Sequence, residues 1–374
     1  MTATDAGDTR QGMLRRLIVG PTVTAAMAQP HNNFTVIRLA LALAVVVSHS
    51  FSVVTGVVED EPLVTSTGFT LGEHAVNGFF VVSGLLVTMS YDRRGWRDYV
   101  AARLLRIAPA LIAGTLLVAL ILGAVMTSLS VGAYLGASET WRFIWRTLSS
   151  FKSNAALPGV FADNPFRFPM GTVWTLKYEV LCYAGVLALG LTGLLRSRAF
   201  AVALVAGLTL AVAGIDLFYP DAPKGLQTSL RLPLLFAAGG AIYRLGERLP
   251  LSIAVAAALV LATIALRDTF LYHALLFLTE AYGIVWLALV PVSARLPEPA
   301  ADLSYGTYLF GWPLQQSLHA LLPAWSGLAL LAPATAATLL VAALSWYVVE
   351  KPALGLKRQL LKLAPAPAAA PAGL

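Results

Sequence analysis

One cysteine, five histidines and few charges set the first limits on this 374-residue chain. A single cysteine, Cys182, excludes an intrachain disulfide framework and any paired-thiol metal or redox motif. It lies inside an apolar run, where a small buried residue is expected. Charged residues make up only 12% of the chain, against about a quarter in a typical soluble domain. What replaces them is apolar: 58% of the residues are hydrophobic and the mean hydropathy is +0.74. Apolar stretches close to the ~20 residues that cross a bilayer core recur along almost the whole length. They do not alternate apolar with polar as a membrane barrel requires, so the expected class is all-α.

The spans are placed near 34–55, 74–91, 108–130, 173–194, 199–218, 229–243, 250–266, 270–290, 303–322 and 327–349, about ten transmembrane helices in all. The net charge of +7 does not point to nucleic acid, because the basic residues sit in the short connections and no aromatic-interleaved basic groove is present. Orientation follows from their distribution. With the N-terminus in the cytosol, one side carries Arg10, Arg15, Arg16, Arg93, Arg94, Arg97, Arg103, Arg106, Arg196, Arg198, Arg244, Arg248, Arg295, Lys351, Lys357, Arg358 and Lys362. The other carries Arg142, Arg146, Lys152, Arg167, Lys224 and Arg267, with Arg231 at a helix mouth. An even span count brings the C-terminus to the cytosol as well, so the expected location is the cell inner membrane, multi-pass. The chain then divides into a cytosolic segment over 1–30, a membrane domain over 31–352 and a cytosolic Ala/Pro-rich tail over 353–374. A cleavable signal peptide is not expected over 1–30. The connection 92–107 is basic and helix-prone, suited to the membrane surface. The connection 131–171 contains Trp141, Phe143 and Trp145, and its Pro158, Pro165 and Pro169 argue against one continuous helix. It is expected to form a hood over an outward-facing site.

Ionisable groups inside a span are costly and mark function. Arg38 and His49 share a face of the first helix, about 16 Å apart along its axis. Glu179 enters the fourth helix at the depth of His49, so the two could meet. A carboxylate fixes a histidine's tautomer and raises its basicity, and such a histidine can take a proton from a hydroxyl attacking a thioester. A buried polar pair that merely joins two helices is the alternative. Arg103 and Arg106 lie on one helical side. Their guanidinium forks suit phosphate oxygens, although basic residues beside a span also bind lipid headgroups. Ser83 is more often a packing contact than a nucleophile. His74 and Asn77 suit either a helix cap or an acceptor contact, and Arg231 could pair with Glu179 or hold an acyl oxygen. Glu280, in the eighth helix with His273 on the same face, needs a partner or a proton. Glu350 reads as structural.

Taken in order along the chain, these pieces resemble the type-3 membrane acyltransferase family. Asn33-Phe34 through Ile37-Arg38 to His49 resembles its opening signature, and Gly78-Phe79-Phe80-Val81-Val82-Ser83-Gly84-Leu85-Leu86 its second-helix motif. Arg103-Leu104-Leu105-Arg106 leading to Pro109, Trp174-Thr175-Leu176-Lys177-Tyr178-Glu179, Leu303-Ser304-Tyr305-Gly306-Thr307-Tyr308-Leu309 and Glu350-Lys351-Pro352 resemble the later motifs. The resemblance implies a membrane O-acyltransferase that moves an acyl group, acetyl by default, from cytosolic acyl-CoA to a hydroxyl of a sugar, exopolysaccharide or lipid-linked glycan. It implies His49 as catalytic base, Glu179 as a site carboxylate, and Arg38, Arg103 and Arg106 as donor contacts. Asn77, Ser83, Trp174 and Arg231 are placed as substrate contacts. Acyl-CoA enters as donor substrate, with no tightly bound cofactor and no metal. The expected partners are the glycan or sugar acceptor, membrane lipids and polysaccharide-assembly proteins. Many relatives have a histidine where this chain has Gly311, so a mechanism needing a ninth-helix histidine does not transfer. The alternative function, on intramembrane charges alone, is a transporter or flippase for a lipid-linked glycan.

Overall fold

A computed structural model describes residues 20–30, 32–289, 299–357, 359 and 361 of the chain. Arg10, Arg15, Arg16, Arg295, Arg358 and Lys362, counted above for orientation, lie outside the described residues. The described residues are helical, and their only β-type pairings are two isolated bridges. The main helices are α1 (Phe34–Thr55), α2 (Leu71–Leu116), α3 (Ser138–Ser150), α4 (Leu176–Leu191), α5 (Arg198–Phe218), α6 (Lys224–Arg244), α7 (Ile253–Ala265), α8 (Tyr272–Leu289), α9 (Ser304–Leu321) and α10 (Gly327–Ser345).

Five stretches are long and apolar enough to cross a membrane by length and composition: Phe34–Thr55, Leu71–Met126, Arg198–Phe218, Tyr272–Leu289 and Gly327–Gly355. Helices α4, α6, α7 and α9 also fall on predicted spans but are shorter or more polar. In α9 the polar side chains point inward, with Gln315, Gln316 and His319 all buried. The outer surface is the inverse of a soluble protein's. Leu210, Phe218, Leu261, Ile264, Leu340 and Val348 stand exposed on α5, on α7, on α10 and on its continuation, as many large apolar side chains as a lipid-facing exterior carries.

The second and third predicted spans are joined. The basic connection 92–107 is helical and continuous with both, apart from a break at Gly95, whose φ of 77° is a left-handed backbone that favours glycine. Helix α2 starts from a reciprocal cap: the Thr70 hydroxyl accepts from the Glu73 N–H at 2.9 Å and Glu73 accepts from the Thr70 N–H at 3.0 Å. It then packs along α6, the largest helix contact in the fold. A Cβ on Gly84 would sit 1.9 Å from the Phe236 carbonyl oxygen, and one on Gly239 2.1 Å from that of Val81. The two backbones therefore touch, as small residues allow in membrane helices. The loop before α4 contains Val131–Gly136 and α3, and the helix ends at Ser150 ahead of the three prolines.

Candidate active site

Three polar clusters interrupt the apolar interior. The first lies where α1, α2 and the start of α9 meet. Asp302, two residues before α9, accepts from Arg38 at 2.6 Å and from Arg106 at 2.9 Å. Arg106 also lies 3.5 Å from Glu350 and over the Tyr305 ring. Burial would raise the pKa of Asp302, but the charges of Arg38 and Arg106 and two hydrogen bonds from Ser304 carry it down to about 2. Arg103 differs from its neighbours. Its guanidinium faces the Tyr183 ring at 5.6 Å, its buried Nε has no hydrogen-bond partner, and among the described residues no carboxylate lies within ion-pair distance. The charge of Arg103 is thus the one in this cluster not answered by an acid.

These arginines line a cavity of about 430 Å³. Arg94 and Lys357 flank it beside the 92–107 stretch of α2, both within ion-pair distance of Asp98. Further along, its walls are Ser83, Phe79, Phe80 and Leu86 of α2, Glu179 and Tyr183 of α4, and Tyr305 and Tyr308 of α9. Glu179 accepts a hydrogen bond from Tyr183, one turn on along α4. Five predicted site residues, Arg38, Ser83, Arg103, Arg106 and Glu179, therefore face one space.

The second cluster surrounds His49. Its partner is not Glu179, as equal depth had led us to expect, but Glu61, at 3.0 Å from His49 Nδ1. Glu61 follows a short 3₁₀ turn, Val58–Asp60, that folds back over α1. Glu61 is 5% exposed, and its carboxylate also accepts from Ser48 and from Ser52, the latter at 2.5 Å. Burial would raise the pKa of Glu61. The hydrogen bond and charge of His49, with the two serine hydroxyls, bring it below its ordinary value instead. Equal depth was insufficient: Glu179 lines the cavity and bonds Tyr183, whereas His49 is absent from that lining and meets Glu61. The edge of the His49 ring meets Trp312, centroids 5.0 Å apart. Trp312 in turn stacks on Phe168 and donates its indole N–H to the Phe168 carbonyl at 2.8 Å. The proline-rich stretch of the 131–171 connection thus does cover the histidine's surroundings.

The third cluster joins α2, α6 and α8. Glu280 accepts from Asn77 at 2.7 Å and pairs with His74, so the costly carboxylate does have partners. His74 Nε2 meets the Thr67 hydroxyl at 2.8 Å, leaving neither ring nitrogen free. Arg231 does not reach Glu179; it bonds Glu73 at 3.1 Å and covers the Phe69 ring. His273 pairs with Asp216 rather than with Glu280. Asn77, Trp174 and Arg231 are absent from the lining of the large cavity, as is His49. Sequence reading missed Glu61 and Asp302. Asp302 had one signal, an acid two residues before the Ser304-Tyr305 motif; Glu61 had none that separates it from Glu59 and Asp60.

Residues 31–349 match the profile of a family described as an acyltransferase domain. The chain is also 26% identical over 334 residues to an O-acetyl transferase of Shigella phage Sf6, an alignment that covers 86% of this chain and 95% of that protein. No solved structure matches it significantly.

Proposed function

This chain belongs to the type-3 membrane acyltransferase family, and from that premise we propose that it transfers an acyl group, acetyl in the first instance, from acyl-CoA to a hydroxyl of a sugar or glycan. The observation that carries this reading is the convergence of Arg38, Arg103 and Arg106 on one cavity of about 430 Å³ that is otherwise walled largely by apolar and aromatic side chains. Phosphate oxygens of the CoA nucleotide would meet Arg103 first, since it is the arginine without an acid partner. The acyl end would lie among Phe79, Phe80, Ser83 and Tyr308.

His49 is the base in this scheme. With Nδ1–H held by the Glu61 carboxylate, the lone pair of Nε2 is left to accept a proton. The acceptor hydroxyl oxygen attacks the thioester carbonyl and its proton passes to Nε2. The C–S bond breaks, the ester forms, and the CoA thiolate takes the proton back from the imidazolium. Glu61 stabilises that cation while it exists. The role originally expected of Glu179 at the histidine is thereby filled by Glu61, and Glu179 remains a carboxylate of the donor cavity.

The donor assignment is tested by replacing both Arg103 and Arg106 with Gln. Charge-assisted contacts contribute about 1.5–3 kcal/mol each, so KM for acetyl-CoA should rise at least about tenfold, with kcat changing less. Acetyl-pantetheine, which lacks the nucleotide phosphates, should be used equally by wild type and variant. An undiminished preference of the variant for acetyl-CoA would move the phosphate site elsewhere.

The same reading has ten spans, both termini in the cytosol and the inner membrane as location. In a Cys182→Ala background, Ser153→Cys should react with an impermeant maleimide from the outer face and Gly95→Cys should not. The reverse pattern would invert the topology.

A further inference from the structure

Donor cavity and base do not communicate in this structure. The cavity is lined by Asp302 just before α9 and by Ser304, Tyr305 and Tyr308 on it, and by no later residue of that helix. The next turn brings Trp312, about 6 Å further along the helix, and it is Trp312 that touches His49. On α1 the cavity reaches Arg38 and nothing beyond it. Above that point α1 is pressed against both neighbours: a Cβ on Gly78 of α2 would lie 2.8 Å from the Leu41 side chain, and one on Gly311 of α9 2.8 Å from that of Val46. At those two points α1 is close-packed on both sides. At the last cavity-lining turn of α9, before Trp312, Tyr308 packs edge to face on Phe79 of α2, also cavity-lining, at 5.8 Å and 70°.

Building on the acyl-transfer reading above, we propose that Phe79 and Tyr308 form an acyl gate, which holds the thioester apart from His49 and from water until the rings part. The two leaves are not equivalent. Tyr308 is fixed: its hydroxyl lies 2.7 Å from that of Thr175 and 2.9 Å from the Thr172 carbonyl, and its own carbonyl accepts from the Thr172 hydroxyl at 3.1 Å. Phe79 is half-buried and packs on the apolar core and the Tyr308 ring, contacts without direction, and no hydrogen bond anchors its side chain. Phe79 is therefore the leaf that swings and Tyr308 the post. Such a barrier has a chemical purpose. The loaded cavity would otherwise admit water to the thioester carbonyl, where it would give up a proton, break the C–S bond and release free acid and CoA thiol without any transfer. Beyond the rings the His49 side chain is 24% exposed.

Two readouts test this independently. Ser83 lines the cavity one turn from Phe79 on α2. In a Cys182→Ala background, Ser83→Cys should react with an impermeant thiol reagent from the Lys357 face of the membrane and hardly at all from the Glu61 face. Adding Phe79→Ala should raise the Glu61-face rate at least about tenfold, with Lys357-face labelling unchanged as the check on folding. Should Phe79→Ala misfold, Phe79→Leu serves in its place. A Glu61-face rate that stays at the background value in a folded variant overturns the gate. Separately, hydrolysis of acetyl-CoA without acceptor should rise at least about tenfold in Phe79→Ala at saturating acetyl-CoA; no rise in hydrolysis where wild type does transfer acetyl also overturns it. If wild type neither transfers nor hydrolyses acetyl-CoA while labelling still opens with Phe79→Ala, the barrier stands and the donor assignment falls.

Discussion

Replacing His49 with Ala should lower acyl transfer by about 10²–10⁴-fold, the usual contribution of a general base. Binding of CoA should not change, because His49 is absent from the lining of the cavity that holds the arginines. The loss should therefore fall on kcat, with KM for acetyl-CoA near the wild-type value. Folding should survive: the side chain is 24% exposed, and what Glu61 loses in one donor it keeps in Ser48 and Ser52. Steady-state kinetics on the purified variant, alongside equilibrium binding of CoA, separate these terms. Near-normal turnover would remove His49 from the chemistry.

Glu61→Gln should be the second-largest loss, at least about 100-fold in kcat, on the precedent that an amide in place of a histidine's carboxylate partner presents the wrong tautomer. The amide preserves volume and can still accept from one serine, yet it cannot stabilise an imidazolium. A second readout separates this role from simple structural support. The pKa of Glu61 is lowered in the folded protein, so the stabilising pair is present above the ordinary carboxyl value and is lost as pH falls through the folded one. Wild type should accordingly show an acid limb set by the pair, in stability and in rate, and Glu61→Gln should flatten the stability limb. Full activity in Glu61→Gln would leave His49 without its assigned partner.

The helices could be read from the sequence because each apolar run is long enough to need a helix in lipid. Arg198–Phe218 is apolar nearly throughout, and Phe34–Thr55 is apolar enough despite Arg38 and His49, so both were placed well. The unity of α2 across 92–107 was harder to see, since a basic, exposed helix shows no apolar signature and the single special backbone is at Gly95. The arginine cluster was legible from spacing on α1 and α2, because helical geometry fixes which residues share a face. The partner of His49 was not. Glu61 lies in a short loop among three consecutive acids, and which of them turns inward depends on the fold of Val57–Thr70 against α1, a tertiary fact. Asp302 and Glu73, which pair with the charges of other helices, share that difficulty. Glu179 pairs within its own helix, at a spacing of four that sequence shows directly.

The central claim is that this chain moves an acyl group from CoA to a hydroxyl through His49. Purified wild type and His49→Ala, reconstituted with acetyl-CoA labelled in its acetyl group and a glycan acceptor, test it in a single-turnover measurement. The account predicts that both bind the donor equally, and that wild type passes label to the glycan while His49→Ala leaves it on CoA. Label that remains on CoA in wild type with accepting glycans present, or that leaves at the same rate in both proteins, would contradict it.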